Sequence, residues 1–248
     1  MEKETHSGIY LLPNLFTTAS LFAAFYSLVA SVKGQYEAAV IAMFIGLLAD
    51  GLDGRIARLT NTQTKFGAEY DSLSDMVTFG VAPSLLLYQL TLSQLGKFGW
   101  LVSFVYTASV ALRLARFNTQ VETADKRFFQ GLPCPPAASV IASFAWICHQ
   151  NEWQHYRLIS ILTVILTLAV AVLMVSNLRY YSFKEIDFKG KVPFLYILIM
   201  IILFVAIAAS PAIVLFFGFI AYALSGPLVT LISVNKMRKK RSHLPKVK

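Results

Sequence analysis

The sequence predicts an all-α fold, a polytopic membrane helix bundle with about eight transmembrane helices. Of the 248 residues, 56% are hydrophobic and 14% are charged, whereas soluble domains usually carry roughly 25% charged residues. The apolar residues are gathered into runs of membrane-spanning length, and these runs fill nearly the whole chain. We therefore expect residues 1–248 to form a single integral membrane domain.

The expected spans follow one another with short connections. Pro13 near the start of the first span favours a helical N-terminus, Pro83 is expected to kink the third span, and Gly226 with Pro227 is expected to interrupt the last. The spans lie at about residues 9–32, 38–59, 71–90, 98–117, 133–148, 158–175, 192–209 and 212–234.

The distribution of Lys and Arg predicts the orientation of these spans. All but three of the 22 Lys and Arg residues fall on one side of the eight-span arrangement, and such residues accumulate on the cytoplasmic side. Both termini are therefore expected to face the cytoplasm, with the basic tail at 235–248 lying against anionic headgroups. Because the net charge of +9 is placed at segment ends, it gives no reason to expect a nucleic-acid partner. The acidic start and the long first apolar run predict no cleavable signal peptide.

Four aspartates stand in or beside the apolar segments of the second and third spans. Ionisable groups at membrane depth are costly and are usually functional. On helices, Asp50 and Asp53 lie about 60° apart, and Asp71 and Asp75 are one turn apart. A turn near residues 61–66 would thus direct two carboxylate pairs into one gap, where they repel each other unless a cation is bound. The all-oxygen ligand set suits Mg²⁺, Mn²⁺ or Ca²⁺, so we expect a divalent-metal site.

The aspartates belong to a longer pattern, D-x2-D-G-x2-A-R-x8-G-x3-D-x3-D, which the chain matches without departure over 26 residues. This pattern resembles the motif of the CDP-alcohol phosphatidyltransferases, integral membrane enzymes of phospholipid synthesis. The resemblance implies that all four aspartates bind metal, that Asp71 and Asp75 are catalytic, and that Asp75 acts as general base. It also implies a nucleotide site at Asp50, Gly54, Ala57, Arg58 and Gly67, with Asn14 and Thr17 close to it.

Polar residues near the cytoplasmic ends of later spans bear on the acceptor alcohol. The segments ALRLARFN and FFQGLPCPPAA, with PNLFTTASLF near the start, are similar to the CDP-diacylglycerol–serine phosphatidyltransferases over about residues 13–138. That resemblance implies transfer of the phosphatidyl group from CDP-diacylglycerol to L-serine, with release of CMP. Arginine suits two-pronged recognition of phosphate or carboxylate. The lipid phosphate or the serine is therefore expected at Arg113, Arg116, Asn118 and Gln130.

The same resemblance implies a homodimer surrounded by membrane lipids of the inner or plasma membrane, with the active site facing the cytoplasm. The helices between about 9 and 150, with the aspartate motif at 50–75, are expected to be catalytic, and those at 158–234 to be additional scaffold.

Two other functions stay open at this point. A sister enzyme would use glycerol 3-phosphate or inositol phosphate, whose additional phosphate Lys126 and Arg127 would help to bind. A cation transporter would use the four aspartates as its ion path. Transporter sites lie near the bilayer midplane and often within inverted repeats, whereas here the acids lie toward the inner third and no repeat is visible.

Overall fold

The computed structural model describes residues 11–60, 62, 64–120, 128–181 and 194–242, and within them the chain is a bundle of helices. The predicted all-α class is confirmed. A π-helical turn, Met76–Val81, joins α3 to α4 into one rod, so the described residues form eight rods that correspond to the eight expected spans. The helices are α1 (Leu11–Val32), α2 (Tyr36–Leu59), α3 (Lys65–Asp75), α4 (Ala82–Leu90), α5 (Lys97–Gln120), α6 (Cys134–Gln150), α7 (Arg157–Val175), α8 (Phe194–Ala209) and α9 (Pro211–Ser242).

Four of these helices, α1, α5, α7 and α9, are long and apolar enough to cross a membrane, and α8 is a shorter apolar helix. Their outward faces carry exposed large apolar side chains such as Phe22 and Phe104. Helix α2 is less apolar because its C-terminal part holds the charged residues of the aspartate motif. This architecture is that of a polytopic membrane bundle.

The interior of the bundle lies where α4, α5 and α6 meet, and its largest completely buried side chains include Leu86, Tyr106 and Ile141. Helices α1 and α2 pack against this centre and against each other through small residues. A Cβ at Gly46 would lie 3.4 Å from the Ser20 carbonyl oxygen, so the glycine permits a close approach of the two backbones.

The third rod begins earlier than the sequence predicts. Helix α3 starts at Lys65, where the expected span starts at Asp71. Thr64 caps it, because its Oγ1 accepts a hydrogen bond of 2.9 Å from the Gly67 N–H, as is usual for Thr at an N-cap. Asp71 therefore lies within a helix that is already formed.

The predicted interruption of the last span at Gly226 and Pro227 is wrong, since α9 continues through both residues. Pro227 cannot donate to the carbonyl of Ala223, but the Tyr180 hydroxyl donates to that oxygen at 2.9 Å. A Cβ at Gly226 would collide with the Tyr180 ring, so the glycine makes room for this replacement bond.

A short antiparallel pair of strands, β1 (Phe128–Gln130) and β2 (Arg179–Tyr181), was not expected from the sequence. It ties the connection before α6 to the segment after α7. The turn after β1 is fixed to the same region, because the Gly131 N–H donates to the Leu178 carbonyl at 2.8 Å. Lys126, Arg127 and the end of the basic tail (residues 243–248) lie outside the described residues.

We expect Gly131→Ala to lower the thermal unfolding temperature of the detergent-solubilised protein more than Gly34→Ala. Both glycines have left-handed backbones, with φ of 75° and 74°, so both variants incur about 1–2 kcal/mol of backbone strain. At Gly131 the new Cβ would also collide with the Met174 carbonyl, whereas at Gly34 it would meet nothing within 4 Å. Equal losses would contradict the packing described for the Gly131 turn.

Candidate active site

Helix α1 holds the two helices that carry the aspartates. The Thr17 hydroxyl donates to Asp53 Oδ2 on α2 at 2.8 Å, and the Thr17 carbonyl accepts from the Ser74 hydroxyl on α3 at 3.2 Å. Thr17, Asp53 and Ser74 are all buried. One residue of α1 therefore fixes α2 and α3 relative to each other.

The four aspartates converge between α2 and α3, as the spacing predicts. Carboxylate oxygens of Asp50, Asp53 and Asp71 all lie within 4.8 Å of one another. The carboxyl group of Asp75 lies close enough to that of Asp50 for direct interaction. The gap between the two helices is thus lined by carboxylates.

Among the described residues, no Lys or Arg side chain contacts the four carboxylates directly. The groups that act on Asp53 are the Thr17 hydroxyl, the Gly54 N–H and the neighbouring carboxylates. The motif arginines, Arg55 and Arg58, are exposed. The acids are therefore not paired with these two arginines.

The cluster fits a divalent cation. Asp71 Oδ1 and Asp75 Oδ1 are buried and have no hydrogen-bond partner among the described residues, and buried polar atoms normally have one. Clustered, unpaired carboxylate oxygens are the ligands that hard divalent cations prefer. Bound cations would offset the mutual repulsion of the acids.

The small residues of the motif leave one side of the cluster accessible. A Cβ at Gly54 would meet nothing within 4 Å, and Gly54 is exposed while Ala57 is half-buried. A Cβ at Gly67 would lie 3.4 Å from Asn14 Oδ1, so α1 and α3 adjoin at this point. Gly54 and Arg58 thus lie on an open surface of α2 that follows Asp50 and Asp53 in the chain.

The two arginines of α5 have different environments. Arg113 is 8% exposed, its Nη1 donates to Cys134 Sγ at 3.3 Å, and its Nε has no partner among the described residues. Arg116 Nη1 instead contacts the Ser176 carbonyl at 3.5 Å and Asn177 Oδ1 at 3.3 Å. Arg113 therefore has an unused donor, and Arg116 braces α5 against the segment after α7.

Cys134 connects Arg113 to the aspartates. Its thiol lies near Arg113, Asp50 and Asp75, which places the guanidinium beside the cluster. The sequence shows this cysteine only as part of the GLPCPPAA segment, and no spacing rule assigns it a role. Its contribution depends on the contact of Cys134, at the start of α6, with Arg113 of α5, which the sequence pattern does not show.

The remaining predicted residues lie farther out. The Asn118 amide donates to the Ser72 hydroxyl on α3 at 3.0 Å, so it tethers α5 to the helix that carries Asp71. Gln130 is exposed on β1, where its partner in register is Arg179. The structure thus brings Asn118 toward the site by way of Ser72 and leaves Gln130 on the strand pair.

A family model described as CDP-alcohol phosphatidyltransferase matches residues 10–175. The chain belongs to the CDP-alcohol phosphatidyltransferase family. The match extends from α1 through α7, beyond the segments at 13–138 that carry the resemblance in the sequence. Membership of this family makes the protein a transferase, so the alternative of a cation transporter is wrong. Members generally depend on divalent metals, in agreement with the cluster of Asp50, Asp53 and Asp71.

Curated relatives show which phosphatidyltransferases this chain is similar to. The CDP-diacylglycerol–serine O-phosphatidyltransferase of Helicobacter pylori is 40% identical over 195 residues, which cover 79% of this chain and 81% of the relative. The enzyme of the same name from Bacillus subtilis is 33% identical over 176 residues, covering 70% and 92%. The archaetidylserine synthase of Methanothermobacter thermautotrophicus is 34% identical over 182 residues, covering 73% of each. With these relatives and its four long apolar helices, the chain is a membrane protein.

We expect Thr17→Val to weaken Mn²⁺ binding by about 10- to 100-fold, the usual effect of losing a group that hydrogen-bonds a metal ligand. The variant loses the donor that orients Asp53. Electron paramagnetic resonance of Mn²⁺ with the purified protein measures the affinity. The control is Thr18→Val, which loses bonds to the Asn14 carbonyl and Tyr70 but touches no aspartate. The same affinity in both variants would show that Thr17 does not orient a metal ligand.

Proposed function

We propose that this phosphatidyltransferase transfers the phosphatidyl group of CDP-diacylglycerol to the hydroxyl of L-serine, giving phosphatidylserine and CMP. The observation that carries the proposal is the group of four converging carboxylates beside a buried arginine. The carboxylates are suited to bind metal ions that neutralise a diphosphate, and the arginine is suited to bind an anionic acceptor.

The proposed reaction is a displacement at the lipid-side phosphorus of the diphosphate. The serine oxygen forms a bond to this phosphorus while the bond from phosphorus to the CMP oxygen breaks. The hydroxyl proton passes to Asp75, and CMP leaves as a phosphate monoester. Asp75 suits this role because its Oδ1 is buried and uncommitted and because a general base must reach the proton that it removes.

The proposed metal ligands are Asp50, Asp53, Asp71 and Asp75. Divalent ions bound there, Mg²⁺, Mn²⁺ or Ca²⁺, would neutralise the diphosphate and the charge that develops on the departing CMP. The chain's own contribution is to hold the carboxylates in place, Asp53 through Thr17 and α3 through Ser74.

The proposed nucleotide site is the open surface beside Asp50. Gly54 offers free space, so a nucleotide can approach the α2 backbone there. The side chain of Asn14 lies over Gly67 and marks the opposite edge. We assign this surface to Asp50, Gly54, Ala57, Arg58, Gly67 and Asn14, with Thr17 below it as a support for Asp53.

Arg113 is the proposed anion-binding residue of the acceptor pocket. Its unpartnered Nε is buried, and a buried charged group without a partner is costly, so a carboxylate or phosphate would complete its contacts. Arg116 has hydrogen bonds to Ser176 and Asn177 and supports the pocket. Asn118 supports it through Ser72, and Gln130 is the least supported of the four predicted residues.

Serine is favoured over glycerol 3-phosphate and inositol phosphate as acceptor. The three relatives have serine in their names although their lipids differ, one being an archaetidyl lipid. Arg113 supplies one buried cation, which matches the single carboxylate of serine better than an acceptor with an additional phosphate. This argument concerns the described residues, and the two basic residues at 126 and 127 lie outside them.

The membrane arrangement also belongs to the proposal. The loop charges favour a cytoplasmic active site and cytoplasmic termini. The division into catalytic helices at 9–150 and scaffold at 158–234 is supported in one respect, since Ser176 and Asn177 brace Arg116 from beyond α7. A homodimer, which the family resemblance implies, is also part of the proposal.

We expect the purified protein, given Mg²⁺ or Mn²⁺ and CDP-diacylglycerol, to release CMP rapidly with L-serine. Release should be much slower with glycerol 3-phosphate or inositol phosphate, because a phosphate monoester carries about 1.5 to 2 negative charges and Arg113 offers one buried guanidinium to it. Quantifying CMP and identifying the lipid product measure both outcomes. Faster release with a phosphorylated alcohol would assign the acceptor to the sister enzymes.

We expect Asp75→Asn to reduce turnover with serine by about 10²-fold or more, the usual effect of losing a general base. The amide keeps the shape of the side chain but cannot accept the proton. The control is Glu69→Gln, which removes an exposed carboxylate of the same helix. Near-normal turnover of Asp75→Asn in membranes would remove this residue from the mechanism.

A further inference from the structure

The helix that carries Asp71 and Asp75 changes its winding directly after Asp75. The π-helical turn Met76–Val81 is wound with i→i+5 bonds and holds one more residue than an α-helical turn. It therefore offsets the faces of α3 and α4 by about 100°, the angle of one residue.

This offset decides where the carboxylates point. In an unbroken α-helix, Asp75 would lie within about 20° of Leu86. Leu86 is completely buried in the apolar interior of the bundle. The π turn rotates the acidic face of α3 away from the apolar face of α4, so that the carboxylates meet those of α2.

A tyrosine of α5 completes the hydrogen bonding of this turn. Pro83, where the π turn passes into α4, has no N–H to donate, and within the turn the carbonyl of Phe79 accepts from the Tyr106 hydroxyl at 2.9 Å. Tyr106 is 0% exposed and Phe79 1%, so water cannot replace this donor, and the loss of a buried hydrogen bond is costly. Thr107 adds a weaker contact to the same turn, with its hydroxyl 3.5 Å from the Gly80 carbonyl.

We propose that Tyr106 is a positioning residue for the metal site: through the Phe79 carbonyl it maintains the π turn that directs Asp71 and Asp75 toward Asp50 and Asp53. Its location agrees with this role, because Tyr106 lies near Cys134, which neighbours Asp75. The inference rests on the proposed function in one respect, namely that the carboxylate cluster binds a divalent cation.

The chain contains a matched control for this role. Tyr180 donates to the Ala223 carbonyl at 2.9 Å, four residues before Pro227, so it too donates to a backbone carbonyl close to a proline within a helix. Tyr180 is also completely buried, but the helix that it completes is α9, which carries none of the four aspartates. Removal of either hydroxyl should therefore lower stability to a similar extent, whereas only removal of the Tyr106 hydroxyl should weaken metal binding.

The test compares Tyr106→Phe with Tyr180→Phe in detergent, without substrate, by electron paramagnetic resonance of Mn²⁺ and by thermal unfolding. Both variants are expected to unfold at lower temperature than the parent. Tyr106→Phe is expected to raise the Kd for Mn²⁺ about tenfold, equivalent to about 1.4 kcal/mol, while Tyr180→Phe changes it by less than about twofold. The Mn²⁺ concentration for half-maximal CMP release should rise in step with the Kd.

An unchanged Mn²⁺ affinity in folded Tyr106→Phe, or an equal loss in both variants, would overturn the positioning role and leave the proposed function intact. If Tyr106→Phe does not fold, Thr107→Val replaces it, with a smaller rise in Kd expected and an unchanged Kd overturning the role. If the unaltered protein binds no Mn²⁺ at the cluster, as judged against Asp50→Asn, the metal site of the proposed function fails, and the positioning role fails with it.

Discussion

The mutual repulsion of four carboxylates in a narrow gap between two helices is the constraint on which the rest of this structure depends. Left alone, Asp50, Asp53, Asp71 and Asp75 would push α2 and α3 apart, since like charges at short range in a poorly solvated site repel strongly. Packing against α1 and hydrogen bonds from neutral groups hold the two helices together without neutralising the carboxylates. The protein thereby keeps the charge available for a cation and its anionic substrate.

Helix α1 has a larger part in this arrangement than a simple membrane anchor would. Thr17 contacts both acidic helices, and the Ser20 hydroxyl donates to the Gly46 carbonyl at 3.0 Å. Gly46 is also close to Thr78 in the π turn. The polar residues of α1 thus lie along one line that contacts α2 and the third rod in turn, and this accounts for polar side chains within an otherwise apolar span.

The features that were predictable from the sequence are those with a local periodic signal. Hydropathy indicated the spans, and the three- and four-residue spacings of the aspartates predicted their convergence because both spacings place side chains on one helix face. The features that escaped prediction depend on partners distant in the chain. The different environments of Arg113 and Arg116 follow from Cys134 and Asn177, and the continuity of α9 through Pro227 follows from Tyr180. No local pattern contains that information.

The two proline-bearing rods also bear on how the bundle assembles. Hydrocarbon offers no water to a backbone carbonyl that needs a donor, so the hydrogen bonding of each rod is complete only after its tyrosine has packed against it. Tyr106 is synthesised 27 residues after Phe79, whereas Tyr180 is synthesised 43 residues before Ala223. During synthesis, the hydrogen bonding of the rod that bears the acids is therefore completed only after α5 has been made. For α9, in contrast, the tyrosine has already been made when the helix forms.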